Sequence, residues 1–121
     1  MVSITALWFA GIVACLLTPL VAIVMRRWKI MDNPKRKSRK IHRQPIPLGG
    51  GLVIFLTFFG LLFLATVLKI VVFSAVLHTQ LIAIFLGALV LVVGGLWDDA
   101  RELSPRYQII FPISASLIAV V

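Results

Sequence analysis

Charge is what this sequence has least of: 13% of its 121 residues are Asp, Glu, Lys or Arg, against 61% hydrophobic, and mean hydropathy is +1.11. Soluble domains carry about a quarter charged residues, so this composition excludes that class and makes a bilayer the natural solvent. Cys15 is the only cysteine and lies inside an apolar run. An intrachain disulfide is therefore excluded, and no redox compartment follows. The N-terminus lacks the basic segment and small-residue cleavage site of a signal peptide, while its apolar stretch is long enough to span, so it reads as a retained helix. Internal repeats and low-complexity tracts are absent.

The charge that is present is concentrated. Net charge is +8, and nine of the twelve Lys and Arg fall between Arg26 and Arg43. In a soluble protein such a charge would suggest nucleic acid. Lumped beside an apolar helix it is first a topology signal and second a site for anionic lipid or phosphate, so nucleic acid is not an expected partner.

Ile4 to Met25 is an uncharged run that as a helix reaches about 33 Å, enough for a hydrocarbon layer of roughly 30 Å. Trp8 and Trp28 sit near its ends as interfacial anchors, and Pro19 within it is tolerable where neighbouring helices satisfy the freed carbonyl. The polar stretch that follows is punctuated by Pro34, Pro45 and Pro47 and cannot continue as a helix in lipid. Gly49-Gly50-Gly51 opens a second apolar run to Leu68; the glycines bend the start of the helix or let another group approach the backbone. Lys69 to Gln80 is the outer turn, and Leu81 to Trp97 is a third span, short unless it recruits Val76 and Leu77. Ser104-Pro105 reads as an N-cap followed by proline at the first helical position.

The expectation is an all-α integral membrane protein, a polytopic helical bundle. It has three complete transmembrane helices (about 4–25, 49–68 and 81–97) and the start of a fourth (105–121). The fourth is too short to cross, so the chain reads as the N-terminal part of one membrane domain. Loops 26–47 and 98–104 are separated by two spans and must share a side. The basic cluster, with Arg101 in the second loop and Arg106 just after it, outweighs Lys69 on the opposite face, which puts both loops in the cytoplasm.

Two segments carry candidate chemistry. Asp98 and Asp99 stand at the C-terminal end of a membrane helix, where the helix dipole and mutual repulsion both disfavour them. A divalent cation, a cationic partner or a protonated carboxyl would compensate; the bland alternative is a pair that marks the membrane boundary. The basic loop, with Arg39, Lys40 and His42, offers donors for a pyrophosphate or a lipid phosphate. On charge alone it equally suits a polybasic segment that only sets orientation and attracts anionic headgroups.

The motifs together narrow this. Asp32-x-Pro34, Arg39-Lys40-x-His42, Pro45-Ile46-Pro47 and Gly50-Gly51, then one membrane excursion, Gly95-Leu96-x-Asp98-Asp99 and Leu103-Ser104-Pro105, resemble the polyprenyl-phosphate N-acetylhexosamine-1-phosphate transferase family over nearly the whole chain. The Pro-Ile-Pro and Leu-Ser-Pro forms lie nearer its N-acetylglucosamine branch than its muramoyl-pentapeptide branch. The resemblance implies transfer of a sugar 1-phosphate, N-acetylglucosamine 1-phosphate for that branch, from a UDP-sugar to undecaprenyl phosphate at the cytoplasmic face of the inner (plasma) membrane. UMP is released, Mg²⁺ is the cofactor, and the setting is cell-envelope polysaccharide or lipopolysaccharide biosynthesis. It implies a catalytic and metal-organising role for Asp98 and Asp99, and substrate binding by Arg39, Lys40, His42, Gly50 and Gly51.

Two departures stand out. Lys35 to Ser38 lengthens the gap before Arg39, and the family's later aspartate and histidine motifs are missing from these 121 residues, which are therefore not expected to catalyse alone. The oligomeric state is open between monomer and homodimer. The rival expectation is a small noncatalytic membrane protein that binds anionic lipid or a partner through the basic loop.

Overall fold

A computed structural model describes residues 4–32, 46–71, 73–101 and 103–120. The elements in chain order are α1 (Ile4–Arg27), β1 (Met31–Asp32), β2 (Ile46–Pro47), α2 (Gly50–Val67), α3 (Ala75–Arg101), α4 (Pro105–Gln108) and α5 (Ile110–Val120). It is an all-α membrane protein: α1, α2 and the Leu77–Arg101 part of α3 are each long and apolar enough to cross a bilayer. Most of their large apolar side chains face outward, as with Trp8, Phe63 and Ile82, which suits surfaces solvated by lipid.

Both inter-span turns begin with a lysine in the left-handed region, Lys29 (φ 60°) and Lys69 (φ 55°). At the end of α1, Lys29 N–H donates to the Arg26 carbonyl (3.1 Å) and Ile30 N–H to that of Met25 (2.9 Å). At the end of α2, Lys69 N–H donates to Thr66 (3.0 Å) and Ile70 N–H to Ala65 (2.9 Å). Each is a Schellman cap, which satisfies last-turn carbonyls that would otherwise be orphaned. Arg26 and Arg27 in the final turn of α1 also oppose the partial negative charge of that helix end.

After the first cap, β1 and β2 pair antiparallel with Met31 opposite Pro47 and Asp32 opposite Ile46. The ends of the basic segment are thus tied together at the end of α1, and β1 lies against α3. Gly49, at φ +114°, then turns the chain into α2. A Cβ here would stand 3.0 Å from Met25 Cγ and 3.2 Å from its sulfur, and Met25 is fully buried. Positive φ and close approach both demand glycine. Gly49→Ala should destabilise the purified protein by about 1–3 kcal/mol, read as a lower thermal midpoint in detergent. An unchanged midpoint would mean that the turn is not under this constraint.

The buried core is small and sits at this end of the bundle: Val21, Met25 and Val53, with Ala14, Leu17, Ile30, Leu52 and Leu96 against it. Farther along, α2 and α3 are joined by aromatic rings, with Phe55, Phe59 and Phe85 centroids 4.9–5.4 Å apart. The closest helix pair is α3 with α5, where Gly87 meets the Ala115 backbone and Gly94 meets the Phe111 ring. Bare glycine backbone is how membrane helices approach closely.

Several boundaries differ from the sequence reading. The third helix begins at Ala75 rather than Leu81, because Ser74 caps it: its hydroxyl accepts from Leu77 N–H (3.4 Å) and its carbonyl from His78 N–H (3.0 Å). The apolar stretch from Ala75 to Leu77 is thereby recruited and the span is not short. The helix expected over 105–121 is divided at Ile109, since Pro112 has no N–H for the Gln108 carbonyl. Ser104 does cap it, but through its carbonyl, which accepts from Tyr107 and Gln108 N–H, and not through its hydroxyl.

Candidate functional site

Asp98 and Asp99 occupy the last turn of α3. Successive helical residues point about 100° apart, so the two carboxylates diverge. Asp98 lines a cavity of about 220 Å³ between α3 and α5, with Leu91, Gly94, Gly95, Gln108, Phe111 and Pro112. Asp99 lines another, of about 200 Å³, between α3 and the start of α2, with Gly49, Gly51, Leu52, Leu91, Val92, Gly95 and Leu96. Leu91 and Gly95 border both. A larger cavity of about 280 Å³, lined by Phe59, Phe63, Thr66, Phe73 and His78, lies at the opposite end of α3 and contains no carboxylate.

The two acids are compensated unequally. Asp98 Oδ1 accepts the Leu103 N–H (2.9 Å) and the Gln108 side-chain amide (2.8 Å). Asp99 is partly buried and has no hydrogen-bond or ion-pair partner among the described residues. The nearby cation, Arg101, is engaged elsewhere, its guanidinium carbon 5.9 Å from the Trp97 ring centroid, a cation–π distance. Two adjacent carboxylates at the negative end of a helix dipole disfavour each other's charge, and Asp99 is the one for which the described residues provide no partner.

Of the residues expected to bind substrate, Gly51 lines the Asp99 cavity, and a Cβ on it would meet nothing within 4 Å, so its bareness leaves open space there. Gly50 is exposed and is not part of that lining. Gly49, which the sequence reading had left out of the site, takes its place. Arg39, Lys40 and His42 lie outside the described residues. Gln108 was also missed; its signal is a polar side chain opening an otherwise apolar stretch ten residues after the first aspartate. Among the described residues no group of three or more His, Cys, Asp or Glu could by itself hold a metal ion.

With this geometry in place, similarity to a characterised class becomes informative. The chain is 26% identical over 105 residues to a probable undecaprenyl-phosphate N-acetylglucosaminyl 1-phosphate transferase of Bacillus subtilis (strain 168). It is similar to that transferase. The matched stretch covers 87% of this chain and 26% of the relative, so the chain spans about a quarter of the relative's length. A stretch of that size in 121 residues takes in positions 17–105 wherever it begins, and with them the basic segment, the glycines and both aspartates. No family model matches the chain, and no solved structure matches it.

Proposed function

We propose that this chain is a membrane-embedded part of a longer transferase that moves a sugar 1-phosphate, N-acetylglucosamine 1-phosphate by analogy with the relative, from a UDP-sugar to a polyprenyl phosphate. The observation that carries the reading is the carboxylate of Asp99, which has no partner among the described residues and opens on a cavity bordered by Gly49 and Gly51. That cavity lies at the bundle end to which the basic segment is tied by the β1–β2 pair. An acid, cations and accessible backbone beside a lipid headgroup region are what phosphoryl transfer between a soluble and a membrane-bound phosphate requires.

In the reaction, an oxygen of the polyprenyl phosphate bonds to the phosphorus bearing the sugar, the pyrophosphate bond of the UDP-sugar breaks, and UMP leaves. Arg39, Lys40 and His42 are assigned to the phosphates. Asp99 would hold Mg²⁺ together with phosphate oxygens and waters, while Asp98, whose Oδ2 has no partner among the described residues, lines the neighbouring cavity between α3 and α5. One or two carboxylates completed by substrate phosphates is a usual environment for this ion, and it fits an Asp99 that has no partner among the described residues. Bound there, Mg²⁺ supplies neutralisation of the charge gathering on the transferred phosphoryl group. Gly51 leaves open space beside Asp99, and Gly49 turns the chain into α2 at the same cavity.

The complete gene product, reconstituted with undecaprenyl phosphate, is expected to release UMP from UDP-N-acetylglucosamine only when Mg²⁺ is supplied. Absence of release from every UDP-sugar would favour the noncatalytic lipid-binding reading instead. The reading also requires both polar segments on the cytoplasmic side of the inner membrane. In a Cys15→Ser background, single cysteines placed at Ser38 and Ser104 are expected to react with an impermeant maleimide in inverted vesicles and not in intact cells. Labelling of either from outside would overturn the site.

A further inference from the structure

Gln108 is an exposed residue at the end of a four-residue helix, a place where a glutamine ordinarily has no fixed task. Here its side-chain nitrogen reaches two acceptors, Asp98 Oδ1 at 2.8 Å and the Leu103 carbonyl at 3.2 Å. Only the NH₂ end of a carboxamide can serve two acceptors at once, so the partners themselves fix which way the amide faces. Leu103 closes the loop, because its own N–H donates to the same Asp98 oxygen at 2.9 Å. Asp98, Leu103 and Gln108 thus form a ring of three hydrogen bonds across the turn from α3 to α4. It fixes the Asp98 side chain and commits Oδ1, while Oδ2 has no partner among the described residues.

We propose that Gln108 is a positioning residue that acts through Asp98, holding the carboxylate so that Oδ2 is the oxygen left for a ligand in the cavity between α3 and α5. The activity arm of this inference rests on the transferase reading; the ring does not. Gln108 is exposed, and the tight α3–α5 approaches lie elsewhere, where Gly87 meets Ala115 and Gly94 meets Phe111. Losing the amide donor is therefore separable from losing the fold.

The test is Gln108→Met in the complete protein, a change that keeps length and removes the donor. Its kcat is expected to fall roughly 10- to 100-fold, the usual cost of removing the hydrogen-bond partner that orients a liganding side chain, with KM and thermal midpoint close to wild type. Gln108→Lys, which restores a donor, recovers most of the loss. Against the residual turnover of Asp98→Ala, adding Gln108→Met changes kcat less than about twofold, because residues acting as one unit are not additive. A full second loss in that background, or a kcat that falls together with the thermal midpoint, would overturn the positioning role. Hydrogen exchange at the Leu103 amide reads the ring without any substrate: it should be slow in wild type and faster in both Asp98→Ala and Gln108→Met. If the complete protein releases no UMP, the transferase reading fails, while slow Leu103 exchange still upholds the ring; fast exchange in wild type removes the ring whatever the activity.

Discussion

Asp99→Asn in the complete protein is expected to slow UMP release by about 10²–10⁴-fold, the several kcal/mol of transition-state charge stabilisation lost with the ion it would hold, while the chain inserts normally. Asparagine keeps the shape and removes the charge. The structure gives this substitution nothing to break: among the described residues Asp99 accepts no hydrogen bond and pairs with no cation, and it lines an open cavity. The change also relieves repulsion from Asp98 at the negative end of α3. Thermal stability should therefore hold or rise as turnover falls, the opposite movement expected where a strained group is kept for activity. Asp98→Asn should also lose most turnover, yet it retains an oxygen for Leu103 N–H and the Gln108 amide, so its turn stays closed. Wild-type turnover in both variants would remove the pair from the mechanism.

The second large effect is on assembly and contrasts two neighbouring glycines. A Cβ on Gly94 would overlap Phe111 at Cγ and Cδ1, whereas one on Gly95 would meet nothing within 4 Å. Gly87, two helical turns earlier on the same face, stands equally tight, its Cβ position 2.9 Å from the Ala115 carbonyl oxygen. Gly94→Leu must push α5 away from α3 or force Phe111 out of its rotamer, an overpacking cost of about 1–3 kcal/mol or more. Gly95→Ala should fold as well as wild type or slightly better, since alanine is favoured over glycine within a helix by roughly 0.5–1 kcal/mol. Thermal midpoints and proteolysis of the two purified variants check this. Equal midpoints would show that α3 and α5 do not pack through Gly94.

Residues that act through their immediate neighbours along the chain were legible without coordinates. The apolar runs of α1 and α2 and the cap position at Ser104 are local features. So was the even number of crossings, which requires the glycines and the aspartates to share an end; the cavity joining Gly49 and Gly51 to Asp99 lies at that end. Local reading failed where one side chain changed a boundary. The Ser74 hydroxyl starts α3 six residues before Leu81, and the missing N–H of Pro112 splits the last helix at Ile109.

By itself, then, the sequence determined that this is a helical membrane protein and which short segments carry its charge, because hydrophobic length and charge clustering need no knowledge of distant residues. Tertiary structure alone decided that Asp98 and Asp99 open on separate cavities, that Gly49 and not Gly50 borders Asp99, that Gly94 and not Gly95 receives Phe111, and that Gln108 reaches Asp98. Those outcomes depend on the rotation of each helix about its axis. A helix that is apolar all round shows no preferred face in its sequence, so the rotation is set only when another helix packs against it.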